Sequence, residues 1–302
     1  MPSTPTKHHF VPQMLLRRFA HDGRLWHFSI ERDERLRLTS PREMGHVNNG
    51  HTIVTKDGER DQSSLEQAMS NIEGAASAAI AAIENSPDMA IVPPGLAEAI
   101  AWLASLQESR SRAYLGYVAA KAGLSKKGDP FKGTMGELQT MLLRAGVMGV
   151  LDAWNLRDDH SIRPKDRWDS VTHALLGMRW EAIRYPDPCL VVSDAFAAQY
   201  GIRPDSPSTF EHNPHLAEFG LNTPLWAAEG VTIALTPRLA ISLQRDGTAR
   251  TMPAADVNMH TIRSARSFLA FPSNFKPSDV MPAWITWIAE AKTIRRALPK
   301  SL

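Results

Sequence analysis

The chain of 302 residues has a single cysteine, Cys189. A lone thiol excludes an internal disulfide and any zinc site built from several cysteines, and it fits a reducing compartment. An excess of one charge is also missing. The 34 basic and 32 acidic residues leave a formal net charge of +2, too balanced to mark a nucleic-acid binder by charge alone, though a local basic patch stays open. No apolar run approaches the roughly 18 residues that span a bilayer, and residues 1–9 lack the apolar core of a signal peptide. The expectation is a cytoplasmic protein with no membrane partner. Absent too are a glycine-rich phosphate loop, Gly-x-Gly-x-x-Gly, His-Glu-x-x-His and Gly-x-Ser-x-Gly. Nucleotide-dependent, zincin and serine-hydrolase chemistries therefore have no support.

What the chain does have is an ordinary globular composition, 43% hydrophobic and 22% charged, with enough length to bury a large core. Its densest set of reactive side chains is the opening Lys7-His8-His9-Phe10-Val11-Pro12-Gln13. Pro12 biases Val11 toward extended angles and then suits a first helical turn. Leu15, Leu16 and Phe19 make an apolar stripe beyond it. Alternation over 24–30 and 36–39 predicts a hairpin. Leu65, Met69, Ile72, Ala76, Ile80 and Ile83 recur at steps of three and four, which predicts a helix over 64–84 with Ser63 and Glu66 as its capping box. Further helices are expected over 95–122, 134–151, 166–184, 254–269 and 279–298. Short strands are expected over 189–194, 231–235 and 239–243. The expected fold is α+β and predominantly α, a helical bundle with a small antiparallel sheet. Residues 1–6 are a loose lead, and residues 7–302 form one domain with a long loop over 195–229.

Several of these pieces, in order, resemble the domain-of-unknown-function 4238 family. The resemblance rests on His8-His9-Phe10-Val11-Pro12-Gln13 with Leu16, Arg18 and Phe19, then Leu65-Glu66 with Ile72-Glu73. Leu106-Gln107-Glu108-Ser109-Arg110, Val192-Ser193-Asp194, Leu235-Thr236-Pro237-Arg238 and the helix holding Asn258 follow. It spans roughly residues 7–272. Where the family tends to place Asn-Pro after Ser-Asp, this chain has Ala195-Phe196. The resemblance implies an architecture and positions, not an activity.

The chemistry available at those positions sets two readings side by side. His8 and His9 can serve as general acid, general base or ligand near neutral pH, or they can order the N-terminal segment through hydrogen bonds. Glu73 can act as base or ligand facing His9, or it can pair with Arg110 simply to match a buried charge. Asp194, at a strand end, can enter a site or hold a turn. Arg263 and Arg266, three apart, can clamp a phosphate or face solvent.

The first expectation is a nuclease-like hydrolase of phosphodiester bonds. His8 and His9 with Glu73, Arg110 and Asp194 form its site, with nucleic acid or another phosphate-containing ligand as partner. A divalent metal ion is left open as cofactor. The second is a ligand-binding or protein-interaction module in which the same cluster is structural. Oligomeric state is not written in any pattern of the sequence.

Overall fold

The computed structural model describes residues 7–30, 35–48, 51–54, 60–61, 63–111, 144–159, 161, 169–201, 225, 227–248 and 251–297. The expected lead over 1–6, the parts of the expected helices that fall on 112–122 and 134–143, and most of the long loop, 202–224, lie outside them.

The chain opens with β1 (Lys7–His9) and α1 (Gln13–Phe19), then the hairpin β2 (Leu25–Ser29) and β3 (Leu36–Thr39). Three short strands follow: β4 (His46–Asn48), β5 (Ile53–Val54) and β6 (Arg60–Asp61). The long helices α2 (Ser64–Glu84) and α3 (Pro94–Ser109) come next. After a π-helical turn at Arg144–Met148 come α4 (Gly149–Leu156) and α5 (Ser170–Leu176). The strands β7 (Arg179–Arg184), β8 (Val192–Ser193), β9 (Ala198–Tyr200), β10 (Gly230–Thr236) and β11 (Leu239–Gln244) precede α6 (Ala254–Ser264), β12 (Phe268–Pro272) and α7 (Pro277–Ala297).

Two four-stranded antiparallel sheets organise these elements. One has the order β7-β11-β10-β9 and the other β3-β2-β12-β8. Every residue of β10 and β11 is buried. Alternation of polar and apolar residues is lost in strands covered on both faces. One large core joins α1, the second half of α2, the first half of α3, α5 and the first sheet. A second core packs Phe10, Leu65, Met69, Ile72, Trp102 and Leu106 against Val147, Val150 and Leu151. A third sets the second sheet against α6 and α7. α3 is buried almost all round, as a helix enclosed by neighbours must be.

The expected helical bundle with a small sheet is overturned. Among the described residues there are seven α-helices and two four-stranded antiparallel sheets, a mixed α and β architecture. The expectation fails at two places. Residues 179–184, read as the end of a helix, form β7, paired with β11 from Arg179↔Gln244 to Arg184↔Leu239. Gly177 ends α5 after seven residues, and pairing with a strand some sixty positions away overrides local helix preference. Residues 268–272 likewise form β12, which joins β2 to β8. No helix among the described residues is long and apolar enough to cross a membrane.

Candidate functional site

The site lies where β1, the start of α1 and the first half of α2 meet the end of α3. Antiparallel pairing sets His9 opposite His46, and their ring centroids are 5.6 Å apart. The chain leaves β1 with the Phe10 N–H donating to the Gly45 carbonyl at 2.7 Å. Gly45 has φ +66, a backbone conformation that L side chains rarely adopt, so glycine suits this corner.

Gln13, at the start of α1, fixes the state of His9. Arg17 offers only donors and takes the Gln13 side-chain oxygen, so the amide nitrogen faces His9 Nε2 at 3.3 Å. Nε2 therefore accepts, and the assigned tautomer carries its proton on Nδ1. The ring also hydrogen-bonds the Arg42 backbone. Burial first, and His46 second, hold the imidazole below its ordinary value, against the pull of Arg42, Glu66 and Glu73. His9 is thus neutral near pH 7, with two carboxylates near enough to act on it.

α2 starts differently from its expected capping box. Ser63 makes no side-chain cap bond. Instead Asp61 Oδ1 accepts the N–H groups of Ser63 and Ser64, each at 3.0 Å. The Ser64 side chain first, and these two N–H groups next, hold the Asp61 carboxyl below its ordinary range. Glu66 is released from capping and accepts from His51 Nδ1 at 2.5 Å. His51 is fully buried and Glu66 is 35% exposed, and the His51 ring meets Phe10 edge-on at 5.5 Å.

Arg110 caps the end of α3 and is only 1% exposed. Its Nη1 donates to Glu73 Oε1 at 2.8 Å and lies 3.7 Å from Met69 Sδ, while Nε donates to Gln107 Oε1 at 3.2 Å. Its Nη2 is buried and meets no hydrogen-bond partner among the described residues. Gln107 in turn donates to the Asp194 backbone carbonyl at 3.2 Å. The Asp194 carboxylate points elsewhere. It accepts the N–H groups of Arg266 and Ser267 at 2.9–3.1 Å and thereby closes the turn from α6 into β12.

Of the five residues singled out from the sequence, Glu73 and Arg110 pair directly, and His9 lies near enough for the Glu73 carboxylate to act on its charge. Asp194 touches the cluster through its carbonyl alone. His8 pairs with Val47 along β1, and its side chain lies outside the described residues. The sequence reading missed His46, His51, Gln13 and Gln107. A signal existed for two of them: Asn48-Asn49-Gly50 is a turn signal in the sequence, and His46 and His51 flank it.

The expected basic face of α6 is otherwise engaged. Arg263 meets both Glu290 oxygens at 2.7–2.8 Å, and Asn258 bonds the Cys189 carbonyl and Val191 N–H. His260 stacks on Tyr200 at 4.3 Å, and burial lowers its imidazole to about 4. Among the described residues no group of three or more His, Cys, Asp or Glu side chains is arranged to hold a metal ion. No step below is routed through one.

Fold and site together define a mixed α and β protein with a buried Arg110–Glu73 pair between α2 and the end of α3 and a His9–His46 pair on a two-stranded ribbon. The chain belongs to the family described as "Protein of unknown function (DUF4238)", whose model matches residues 7–275. No curated protein and no solved structure matches it.

Proposed function

We propose that the chain hydrolyses phosphodiester bonds, in a nuclease-like reaction, at His9, Glu73 and Arg110. The observation that carries this reading is the buried Arg110 Nη2, which has no hydrogen-bond partner among the described residues. Leaving a buried charged donor unmatched is costly, and a phosphoryl oxygen is the kind of acceptor a guanidinium binds well. Glu73 holds Arg110 by one edge of the fork and is a positioning residue. His9, kept neutral by burial and His46, serves as general base. The Gln13 amide, 3.3 Å from Nε2, occupies that lone pair, and an attacking water would have to displace it to reach the base.

The test is hydrolysis of thymidine 5′-(p-nitrophenyl phosphate) and of single-stranded oligonucleotides by the wild type and by His9→Ala. Turnover that falls by about 10²–10⁴ in the variant, with an unchanged circular dichroism spectrum, supports the reading. Absence of wild-type turnover on every substrate overturns it. The second reading, a non-catalytic module with a structural cluster, is favoured by the Asp194 carboxylate, whose bonds all go to backbone N–H groups. It predicts that His9→Ala lowers Tm by several degrees, for a loss of about 1–3 kcal/mol, and that phosphate leaves the protein unaffected.

A further inference from the structure

Phosphate esters come in two charge states near neutral pH. A diester carries one negative charge, and a monoester carries close to two above its second pKa of about 6. A guanidinium standing alone attracts the second form more strongly. Arg110 does not stand alone. Its Nη1 donates to Glu73 Oε1 at 2.8 Å and its Nε to Gln107 Oε1 at 3.2 Å. That leaves Nη2, buried, as the nitrogen without a partner among the described residues. The Glu73 carboxylate thus offsets the charge that Nη2 would present. The pair also meets solvent through Glu73, 26% exposed against 1% for Arg110, so an anion coming to Nη2 from that side approaches beside a carboxylate.

We infer that Glu73 sets the specificity of this site, which takes singly charged phosphodiesters and rejects dianionic monoesters. The inference rests on the hydrolase reading above and narrows its substrate to internal phosphodiester linkages, as against terminal phosphates. Two effects act together. A second negative charge on the ligand gains little attraction, because Arg110 and Glu73 together carry no net charge. Taking that second charge out of water costs more than the first, since solvation energy rises with the square of the charge. A bound diester leaves the ion pair and ligand with one net negative charge, and a bound monoester leaves two, around a donor that is buried. Hydrolysis converts the first kind of ligand into the second, so the same carboxylate favours release of the product.

Dimethyl phosphate and methyl phosphate are the probes, with affinities taken from the rise of Tm with ligand concentration. At pH 8 the wild type should bind dimethyl phosphate about tenfold more tightly than methyl phosphate. At pH 5 methyl phosphate has mostly taken up a proton, and the two affinities should converge. Whatever charge His9 holds at pH 5 acts on two monoanions alike, so the ratio isolates the charge of the ligand. Glu73→Gln keeps a hydrogen-bonding oxygen without the charge. It should erase most of the difference at pH 8, with methyl phosphate gaining more than dimethyl phosphate. Equal affinities at pH 8, tighter binding of methyl phosphate, or a preference unchanged in Glu73→Gln overturns the assignment and leaves a phosphate site standing. Binding of neither probe, or binding that survives in Arg110→Met, removes the phosphate site that the hydrolase reading needs and this inference with it. If circular dichroism finds Glu73→Gln unfolded, the wild-type ratio at the two pH values carries the decision.

Discussion

Arginines hold α2 at its C-terminal end and near its middle, and they hold it in different ways. At the C-terminal end Arg184 donates to the carbonyls of Ile83, Ser86 and Met89 at 2.6–2.7 Å, and Arg18 meets Glu84 and Ser77. The acceptors that Arg184 uses are backbone groups that a helix end leaves open. At the N-terminal half, Arg110 meets side chains, Glu73 and Gln107, and its Nη2 stays buried without a partner among the described residues. One guanidinium completes a fold. The other keeps a buried donor without a partner among the described residues beside the Glu73 carboxylate, and on the hydrolase proposal that donor is the one a phosphoryl oxygen would meet.

The largest effect that would break this comparison is on stability. Arg184→Ala removes three charge-assisted bonds and should destabilise the protein by about 3 kcal/mol, seen as a fall in Tm of roughly 5–10 °C. Arg110→Met should cost only about 1–2 kcal/mol, since Glu73 is 26% exposed and can hydrate, while Gln107 loses a donor. The functional effects should run the other way. Arg110→Met abolishes phosphodiester turnover and any thermal shift induced by inorganic phosphate, and Arg184→Ala leaves that shift in place. A larger Tm loss at Arg110 than at Arg184 would make both arginines structural.

A smaller effect concerns pH. His9 has its imidazole below the ordinary value of 6.5 because of burial and His46, with Arg42, Glu66 and Glu73 opposing. Between 6.5 and that lower value the unfolded chain binds a proton that the folded chain does not. The folded state is therefore destabilised as pH drops through this window and regains stability as pH rises. A base must be neutral, so the acid limb of the pH–rate profile should also fall below pH 6.5. His9→Gln should flatten the stability curve in that window. Urea melts from pH 4 to 7 read it, and an unchanged curve would show that His9 titrates as it does in the unfolded chain.

How much of this was legible in the sequence depends on the range of the interaction concerned. The periodicity of Leu65, Met69, Ile72 and Ile83 predicts α2 because helical contacts are local, and all four are buried as that spacing requires. The hairpin β2–β3 and the adjacent strands β10 and β11 are legible for the same reason. β12 is not: its partners Trp26 and Val192 lie far off in the chain, and its run Phe268-Leu269-Ala270-Phe271 has no alternation to separate a covered strand from the end of a helix. The Glu73–Arg110 pair was anticipated by matching charges on neighbouring helices. The His51–Glu66 pair was hidden because Ser63 with Glu66 fits a capping box.

That misreading yields the smallest and sharpest prediction. At the start of α2 two residues compete to satisfy the first open N–H groups, and only one side chain can do so. In the structure Asp61 Oδ1 accepts from Ser63 and Ser64, while the Ser63 hydroxyl makes no cap bond. Asp61→Ala should then cost about 1 kcal/mol, and Ser63→Ala should change stability by no more than a few tenths of a kcal/mol. The loss at Asp61 should vanish in acid, because its carboxyl is held low by the Ser64 side chain first and by these N–H groups next, and the stabilisation disappears as pH falls through that lowered value. The double variant Asp61→Ala, Glu66→Ala separates the two jobs. If Glu66 is committed to His51, the two stability losses add. If Glu66 swings back to cap α2 once Asp61 is gone, the double loss exceeds the sum, and the carboxylate in front of His51 is a helix cap in waiting.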